Sequence, residues 1–181
     1  ALTFDDGPGP DTERLLQVLA EKHVSATFFL VGSNVEQRPD VVRDTAAAGH
    51  LLANHTWDHP QLTTLDDDAV RDELTRTQEA IESAAGITPT LLRPPYGDVD
   101  DRVRSVALRS GLQVVLWNLD TLDWKTRDAA ETRRRAVEGA RPGSVVLMHD
   151  IHASTVDAVP GIVDDLRAQG YRLVTVDLLA P

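Results

Sequence analysis

The chain lacks cysteine, long apolar runs and an excess of basic residues, and each absence excludes a class of protein. With no cysteine among its 181 residues, it has no thiolate metal site, disulfide framework or cysteine nucleophile. No apolar run approaches the roughly 18 residues that a membrane span requires, so we expect no membrane partner. Its 18 basic residues face 29 acidic ones, which gives a formal net charge of −11. An acidic surface repels nucleic-acid phosphates but tolerates a neutral polymer such as a glycan.

The length of the chain and its alternating pattern predict one α/β domain over residues 1–181. The clearest helix begins at the acidic N-cap residues 66–68 and ends at Gly86, and a second apolar stripe at helical spacing ends at Gly170. Seven short apolar runs are predicted strands: Leu2–Phe4, Val24–Val31, Leu51–Ala53, Thr90–Leu92, Gln113–Trp117, Ser144–Met148 and Arg172–Leu179. This pattern predicts a parallel sheet covered by helices, and it fits an open doubly wound sheet or a barrel equally well.

Polar residues cluster where five of the predicted strands end. The first strand runs into Asp5 and Asp6, and the other four are followed by "NHTWDH", "RPPYG", "DTLDW" and "HD". Because the carboxyl ends of parallel strands meet at one edge of a sheet, we expect these residues to share a site. For the two aspartates, which are followed by Gly and Pro, a solvated turn is the alternative interpretation.

Two histidines in the second of these stretches could bind a metal ion. His55 and His59 are four residues apart, a spacing that places both imidazoles on one face of a helical turn. A pair of surface histidines is the alternative. Two histidines and one carboxylate form a catalytic metal site that leaves positions open for water and substrate, and Asp6 is the candidate carboxylate.

Two further side chains have candidate catalytic roles. His149 follows an apolar run and could protonate a leaving atom, with Asp123 as the acidic neighbour that holds its tautomer. A structural histidine is the alternative. Arg93 precedes two prolines and could lower the pKa of a nearby carboxylate, whereas the alternative is a surface arginine.

Four other conspicuous side chains are expected to have no part in the site. Trp117 lies within an apolar run and is expected in the core, and His50 stands at a strand start and is expected to be structural. His23 and His152 are expected on the surface.

Five stretches stand in a fixed order between residues 3 and 150: "TFDDG", "HTWDH", "RPPYG", "DTLDW" and "LMHD". In that order they resemble the five motifs of the polysaccharide deacetylases, carbohydrate esterase family 4, which share the NodB homology domain. The resemblance covers nearly the whole chain. It implies that the α/β domain is a distorted (β/α) barrel of about seven parallel strands.

The resemblance also implies which residues act in catalysis. Asp5 would be the general base for the attacking water, and Arg93 would tune it. His149 would be the general acid, paired with Asp123. The backbone N–H of Tyr96 would stabilise the oxyanion and contact the substrate.

By the same resemblance, three residues would hold a metal ion and two would line the acetyl pocket. Asp6, His55 and His59 would bind Zn²⁺, with another divalent transition metal as the alternative. Trp124 and Leu147 would contact the acetyl methyl group.

The family implies a deacetylase that acts on N-acetylglucosamine polymers or oligomers such as chitin and its fragments. The alternatives are a peptidoglycan deacetylase, an acetylxylan esterase, a hydrolase of some other amide and a non-catalytic glycan-binding module. We expect a monomer outside the cell or at the cell wall. Since the sequence opens at Ala1 with a strand already under way, we also expect a mature domain or part of a longer chain.

Overall fold

The computed structural model describes residues 1–179, which form one sheet of parallel strands. The sheet order is β5-β4-β3-β2-β1-β7-β6, with β1 between β2 and β7. The seven strands are β1 Leu2–Asp5, β2 Thr27–Leu30, β3 Leu51–Asn54, β4 Leu91–Leu92, β5 Gln113–Val114, β6 Leu119–Asp120 and β7 Val146–His149. In this register Asp5 stands beside His149 on the neighbouring strand, so the first and last predicted motifs meet at the same level.

Eight α-helices pack around the sheet in the described part of the chain. They are α1 Thr12–Glu21, α2 Gly32–Gln37, α3 Pro39–Ala47, α4 Asp67–Ala85, α5 Asp101–Arg109, α6 Asp123–Thr126, α7 Ala129–Gly139 and α8 Ala153–Ala168. The predicted start of α4 is confirmed, because the Asp66 side chain accepts a hydrogen bond from the Ala69 N–H. Its predicted end is confirmed too, because Gly86 adopts the left-handed conformation that closes a helix.

The sheet is strongly curled. Neighbouring strands lie about 4.8 Å apart, so β4 and β1 would stand about 14 Å apart in a flat sheet. Arg93, directly after β4, nevertheless places its Nη1 2.7 Å from the Thr3 Oγ1 on β1. The strands therefore wrap into a distorted (β/α) barrel, as the resemblance implied, and the described edges β5 and β6 are not paired with each other.

Two apolar clusters fill the space between the sheet and its helices. The larger cluster joins β1, β2 and β7 to α1 and α8, with Phe4, Phe28 and Val159 at its centre. The smaller cluster joins α4 and α5 to β4, with Leu74 and Leu92 fully buried. Within residues 1–179 no helix combines the length and the apolar character needed to cross a membrane.

The predicted strand at Arg172–Leu179 is wrong. This segment is irregular up to a 3₁₀ turn at Val176–Leu178, and Leu173 packs against the larger cluster. The Val176 N–H donates to the Thr27 Oγ1 at 3.1 Å instead of joining a ladder. The segment is an apolar run that joins no strand among the described residues. The two-residue β6, which the sequence pattern did not resolve, completes the seven-stranded sheet instead.

Candidate active site

The carboxyl ends of the parallel strands bring the predicted site residues into one pocket. Asp5 ends β1, His149 ends β7, His55 follows β3 and Arg93 follows β4. The cavity they border measures ≈ 430 Å³, within the range of about 300–1,000 Å³ that is usual for small-molecule sites. It is lined by Asp5, Asp6, His55, His59, Tyr96, Trp117, Asp120, Trp124, Leu147 and His149.

The adjacent aspartates reach the same pocket because the chain leaves the extended conformation between them. Successive side chains of a strand point to opposite faces. Asp5 ends the strand, but Asp6 has a φ of +73°, in the left-handed region that few non-glycine residues adopt. The Asn34 side-chain amide donates to the Asp6 carbonyl at 2.8 Å and holds this turn. The alternative of a merely solvated turn is excluded for Asp5, which is 2% exposed.

Asp6, His55 and His59 form a cluster that fits a metal ion. The Asp6 Oδ1 lies 3.4 Å from the His55 Nε2 and 3.3 Å from the His59 Nε2. These separations match the edges of a tetrahedral site, which are about 3.4 Å long for bonds of about 2.1 Å. The Asp6 Oδ1 is buried without a hydrogen-bond partner among the described residues, as expected of an oxygen that awaits a cation. The three ligand atoms lie within 4.8 Å of one another.

Electrostatics at the cluster keep the carboxylate ionised. Burial alone would raise the pKa of Asp6, but the nearby imidazole of His55 outweighs burial and lowers that pKa to about 2. Burial lowers the pKa of His59. Both changes favour the deprotonated forms in which these side chains bind a metal.

The two histidines do not share a helical turn, so that part of the prediction is wrong. Residues 55–59 form an irregular loop in which Thr56 and His59 have φ values of +67° and +66°. The His55 Nδ1 lies 2.6 Å from the Arg93 carbonyl, which leaves its Nε2 free to face Asp6. The Thr56 Oγ1 accepts a hydrogen bond from the His59 N–H at 3.1 Å and links the two ends of the loop.

Arg93 is the partner of Asp5. Its guanidinium is completely buried, which excludes the surface alternative, and its Nη1 donates to the Asp5 Oδ1 at 2.7 Å. The same group stacks on Phe29, with 4.0 Å between the guanidinium carbon and the ring centre. These contacts hold the Asp5 carboxylate in one orientation, with its Oδ2 3.8 Å from the His55 Nε2.

His149 and Asp123 form a second pair in the pocket, with His149 next to Asp5 in the sheet register. The His149 Nδ1 lies 2.9 Å from the Asp123 Oδ1, and the His149 backbone N–H donates to the Asp123 Oδ2 at 2.8 Å. Burial alone would lower the pKa of His149, but Asp123 outweighs burial and raises that pKa to about 9. His149 is therefore protonated at neutral pH, with its Nε2 as the remaining donor.

Aromatic and apolar side chains complete the pocket. Tyr96 is 65% exposed, its ring lies against His59, and its φ is +60°. Within residues 1–179 the Tyr96 N–H finds no acceptor. Trp124 is 47% exposed, whereas Leu147 is buried. Trp117, predicted in the core, is only partly buried and lines the pocket instead.

Some supporting residues were missed or misplaced by the sequence analysis. The Thr155 Oγ1 donates to the Asp123 Oδ2 at 2.6 Å. Glu73 accepts hydrogen bonds from two N–H groups of residues 55–59, the histidine loop. His152, predicted on the surface, is 9% exposed and contacts Arg127. Thr155 and Glu73 are buried residues of α8 and α4, His152 precedes α8, and none of the three belongs to the five motifs. The available signal was a polar residue at a buried position on or beside a helix. His50 is structural as predicted, since its Nδ1 accepts from the Ala26 N–H.

This chain is similar to known proteins over most of its length. The family model for polysaccharide deacetylase matches residues 1–115. Peptidoglycan-N-acetylglucosamine deacetylase PgdA of Listeria monocytogenes is 42% identical over 180 residues, which cover 99% of this chain and 38% of that protein. This chain thus spans well under half of that relative. A chitooligosaccharide deacetylase of Rhizobium leguminosarum bv. trifolii is 38% identical over 187 residues, which cover 95% of this chain and 87% of that protein.

A solved structure gives the same result. The structure of T48 deacetylase with substrate superimposes with a TM-score of 0.96 at 49% identity, covering 99% of this chain and 88% of the other. The family model, the relatives and the fold all agree over most of the sequence. The chain therefore belongs to the polysaccharide deacetylases, carbohydrate esterase family 4.

Proposed function

We propose that this chain is a metal-dependent deacetylase that hydrolyses the N-acetyl groups of N-acetylglucosamine polymers or oligomers and releases acetate. One observation carries the proposal. The Asp6–His55–His59 cluster shares one pocket with a carboxylate held by a buried arginine and with a histidine whose pKa is raised by a buried carboxylate. Hydrolysis of an amide needs a base on one side of the reacting carbon and an acid on the other.

The cluster would hold Zn²⁺ or another divalent transition metal through Asp6, His55 and His59. When bound there, such an ion would acidify a water molecule and polarise the acetyl carbonyl. The donor set of two imidazoles and one carboxylate supports this assignment, because it is typical of catalytic sites that keep a position open for substrate.

Asp5 is proposed to take the proton of the attacking water. Its Oδ1 is engaged by the Arg93 Nη1, and its Oδ2 lies on the side of the metal-ligand histidines. The buried ion pair keeps the carboxylate in one position while the water attacks the acetyl carbon.

His149 is proposed to give its proton to the leaving nitrogen. As the C–N bond breaks, the sugar nitrogen leaves as an amine and the acetyl group leaves as acetate. Asp123 supports the step because it holds the Nδ1 of the ring and keeps the imidazole protonated at neutral pH.

The walls of the pocket are proposed to hold the acetyl group. The unpaired N–H of Tyr96 would donate to the oxyanion that forms on the carbonyl oxygen. Trp124 and Leu147 would pack against the methyl group, and both line the same pocket as His149.

Two substrates are equally supported by the relatives. Their names include deacetylases of peptidoglycan N-acetylglucosamine and of chitooligosaccharides. Both substrates present the same acetamido group, which is what the pocket residues would recognise. An ester such as acetylxylan would need only an alcohol in place of the amine as the leaving group. Peptidoglycan is a cell-wall polymer, which supports an extracellular or cell-wall location.

The test is acetate release from chitooligosaccharides, peptidoglycan and acetylxylan, with the apo-protein and again after zinc is restored. Zinc-dependent acetate from either N-acetylglucosamine substrate is the expected result. Release from acetylxylan alone would show that the chain hydrolyses O-acetyl esters instead of N-acetyl groups. No acetate from any substrate, with metal bound, would contradict the proposal and favour a glycan-binding module or another amide.

A further inference from the structure

The histidine loop, residues 55–59, needs support from outside itself. Two of its five residues, Thr56 and His59, have positive φ values of +67° and +66°. Threonine is branched at Cβ, and such a residue rarely adopts the left-handed conformation. A loop of this kind persists only when surrounding contacts hold it in place.

Three backbone groups of the histidine loop are held by α2 and β3. The Gly32 N–H donates to the Thr56 carbonyl at 2.9 Å, and the Ser33 N–H donates to the Trp57 carbonyl at 3.0 Å. The Asn54 Oδ1 accepts from the Thr56 N–H at 2.8 Å. The N–H groups of Trp57 and Asp58, midway between the two histidines, take no part in these bonds.

Both remaining N–H groups donate to a single carboxylate oxygen. The Glu73 Oε2 accepts from the Trp57 N–H at 2.8 Å and from the Asp58 N–H at 3.2 Å. Glu73 is 9% exposed and stands in the apolar stripe of α4, next to the fully buried Leu74. Glu79, on the same helix, is exposed to solvent. A carboxylate in an apolar stripe is costly unless it has partners, so its two contacts with the histidine loop are its evident role.

We propose that Glu73 is a positioning residue for the metal site: it fixes the centre of the histidine loop so that His55 and His59 present their Nε2 atoms to Asp6 together. The inference rests on the proposed metal-binding function. Residues that orient metal ligands typically change metal affinity by about 10–100-fold when they are replaced. Glu73 contacts neither the ion nor the substrate, so its effect passes entirely through the histidine loop.

Two conservative replacements separate the effect of the length of the Glu73 side chain from the effect of its charge. Glu73→Gln keeps an oxygen at the same distance and loses the charge. Glu73→Asp keeps the charge but withdraws it by one methylene group. If Glu73 acts by position, zinc affinity stays within a few-fold of wild type in Glu73→Gln and falls about 10–100-fold in Glu73→Asp. Glu73→Ala should resemble Glu73→Asp.

The experiment measures the zinc dissociation constant of each apo-protein by competition with a chelator, together with the thermal midpoint of the apo-form. Glu79→Ala is the matched surface control on α4. Leu166→Ala, in the larger apolar cluster, is the control for a general loss of stability. Both controls should bind zinc like wild type, although Leu166→Ala melts earlier.

Three results would overturn the inference while leaving the proposed metal site in place. Wild-type affinity in Glu73→Asp and Glu73→Ala would show that the histidine loop holds itself. Weak binding in Glu73→Gln with normal binding in Glu73→Asp would assign the effect to charge. If Leu166→Ala lost as much affinity as Glu73→Ala, the effect would be one of stability alone. A wild-type protein that binds no zinc would overturn the metal site and this inference together, and so is distinguishable from these results.

Discussion

Replacing Asp123 by asparagine should show how His149 keeps its proton. With Asp123 ionised at 2.9 Å, the pKa of His149 is raised to about 9. Without that charge, burial lowers the pKa of His149 while the carboxylates of Asp5 and Asp6 raise it, so the pKa should return toward the usual histidine value of about 6.5. At about pH 8 the protonated fraction of His149 would fall from roughly nine-tenths to about 3%, a loss of about 30-fold in the general acid.

The assay is the pH profile of kcat/KM for acetate release. Wild-type activity should decline only above about pH 9, whereas the decline of Asp123→Asn should begin below about pH 6.5. Thr155→Val is the control, because it removes a hydrogen bond to the other oxygen of Asp123 and leaves the His149 contact intact. An Asp123→Asn profile that still declines near pH 9 in a folded protein would refute the assignment of His149 and Asp123 as the acid pair.

Three further substitutions test other parts of the site. Asp5→Asn should keep its bound metal, and its kcat should fall about 10²–10⁴-fold because the proton acceptor is gone. Unchanged turnover with stoichiometric metal would contradict the assignment of Asp5 as the general base. Arg93→Met should lower the free energy of unfolding in urea by about 3–5 kcal/mol, since it leaves the carboxylate of Asp5 buried without its partner, and a value equal to wild type would contradict the ion pair. Gly7→Ala would place a Cβ against the Asp150 carboxylate, closer than van der Waals contact allows, and should lower both the thermal midpoint and zinc affinity. The double variant Gly7→Ala/Asp150→Ala should recover part of that loss, and no recovery would mean that the two residues do not interact.

The fold could be predicted in outline because its longest elements carry strong local signals. The acidic cap, the apolar stripe and the terminal glycine of α4 each act within a few residues, so the helix is encoded locally. β6 could not be predicted, since Leu119–Asp120 is a strand only through its pairing with β7. The segment Arg172–Leu179 was wrongly predicted as a strand. Its apolar run reflects packing against the larger cluster, where Leu173 lies, and not pairing with a neighbouring strand.

The site residues could be predicted as a set but their conformations could not. The five motifs identify the residues that meet at the strand ends. Spacing could not show that Asp6 adopts a positive φ or that the histidines occupy a loop, because both depend on contacts from Asn34 and Glu73, distant in sequence. Thr155 was missed for the same reason, since it meets Asp123 only when α8 packs beside β7.

The most direct test of the account is to titrate zinc into the apo-protein while both bound metal and acetate release are measured. We predict that the rate rises in proportion to bound zinc and reaches its plateau at one ion per chain, and that His55→Ala neither retains tightly bound zinc nor releases acetate. Acetate release that does not follow bound metal, or stoichiometric tight zinc in His55→Ala, would contradict the claim that Asp6, His55 and His59 form the catalytic metal site.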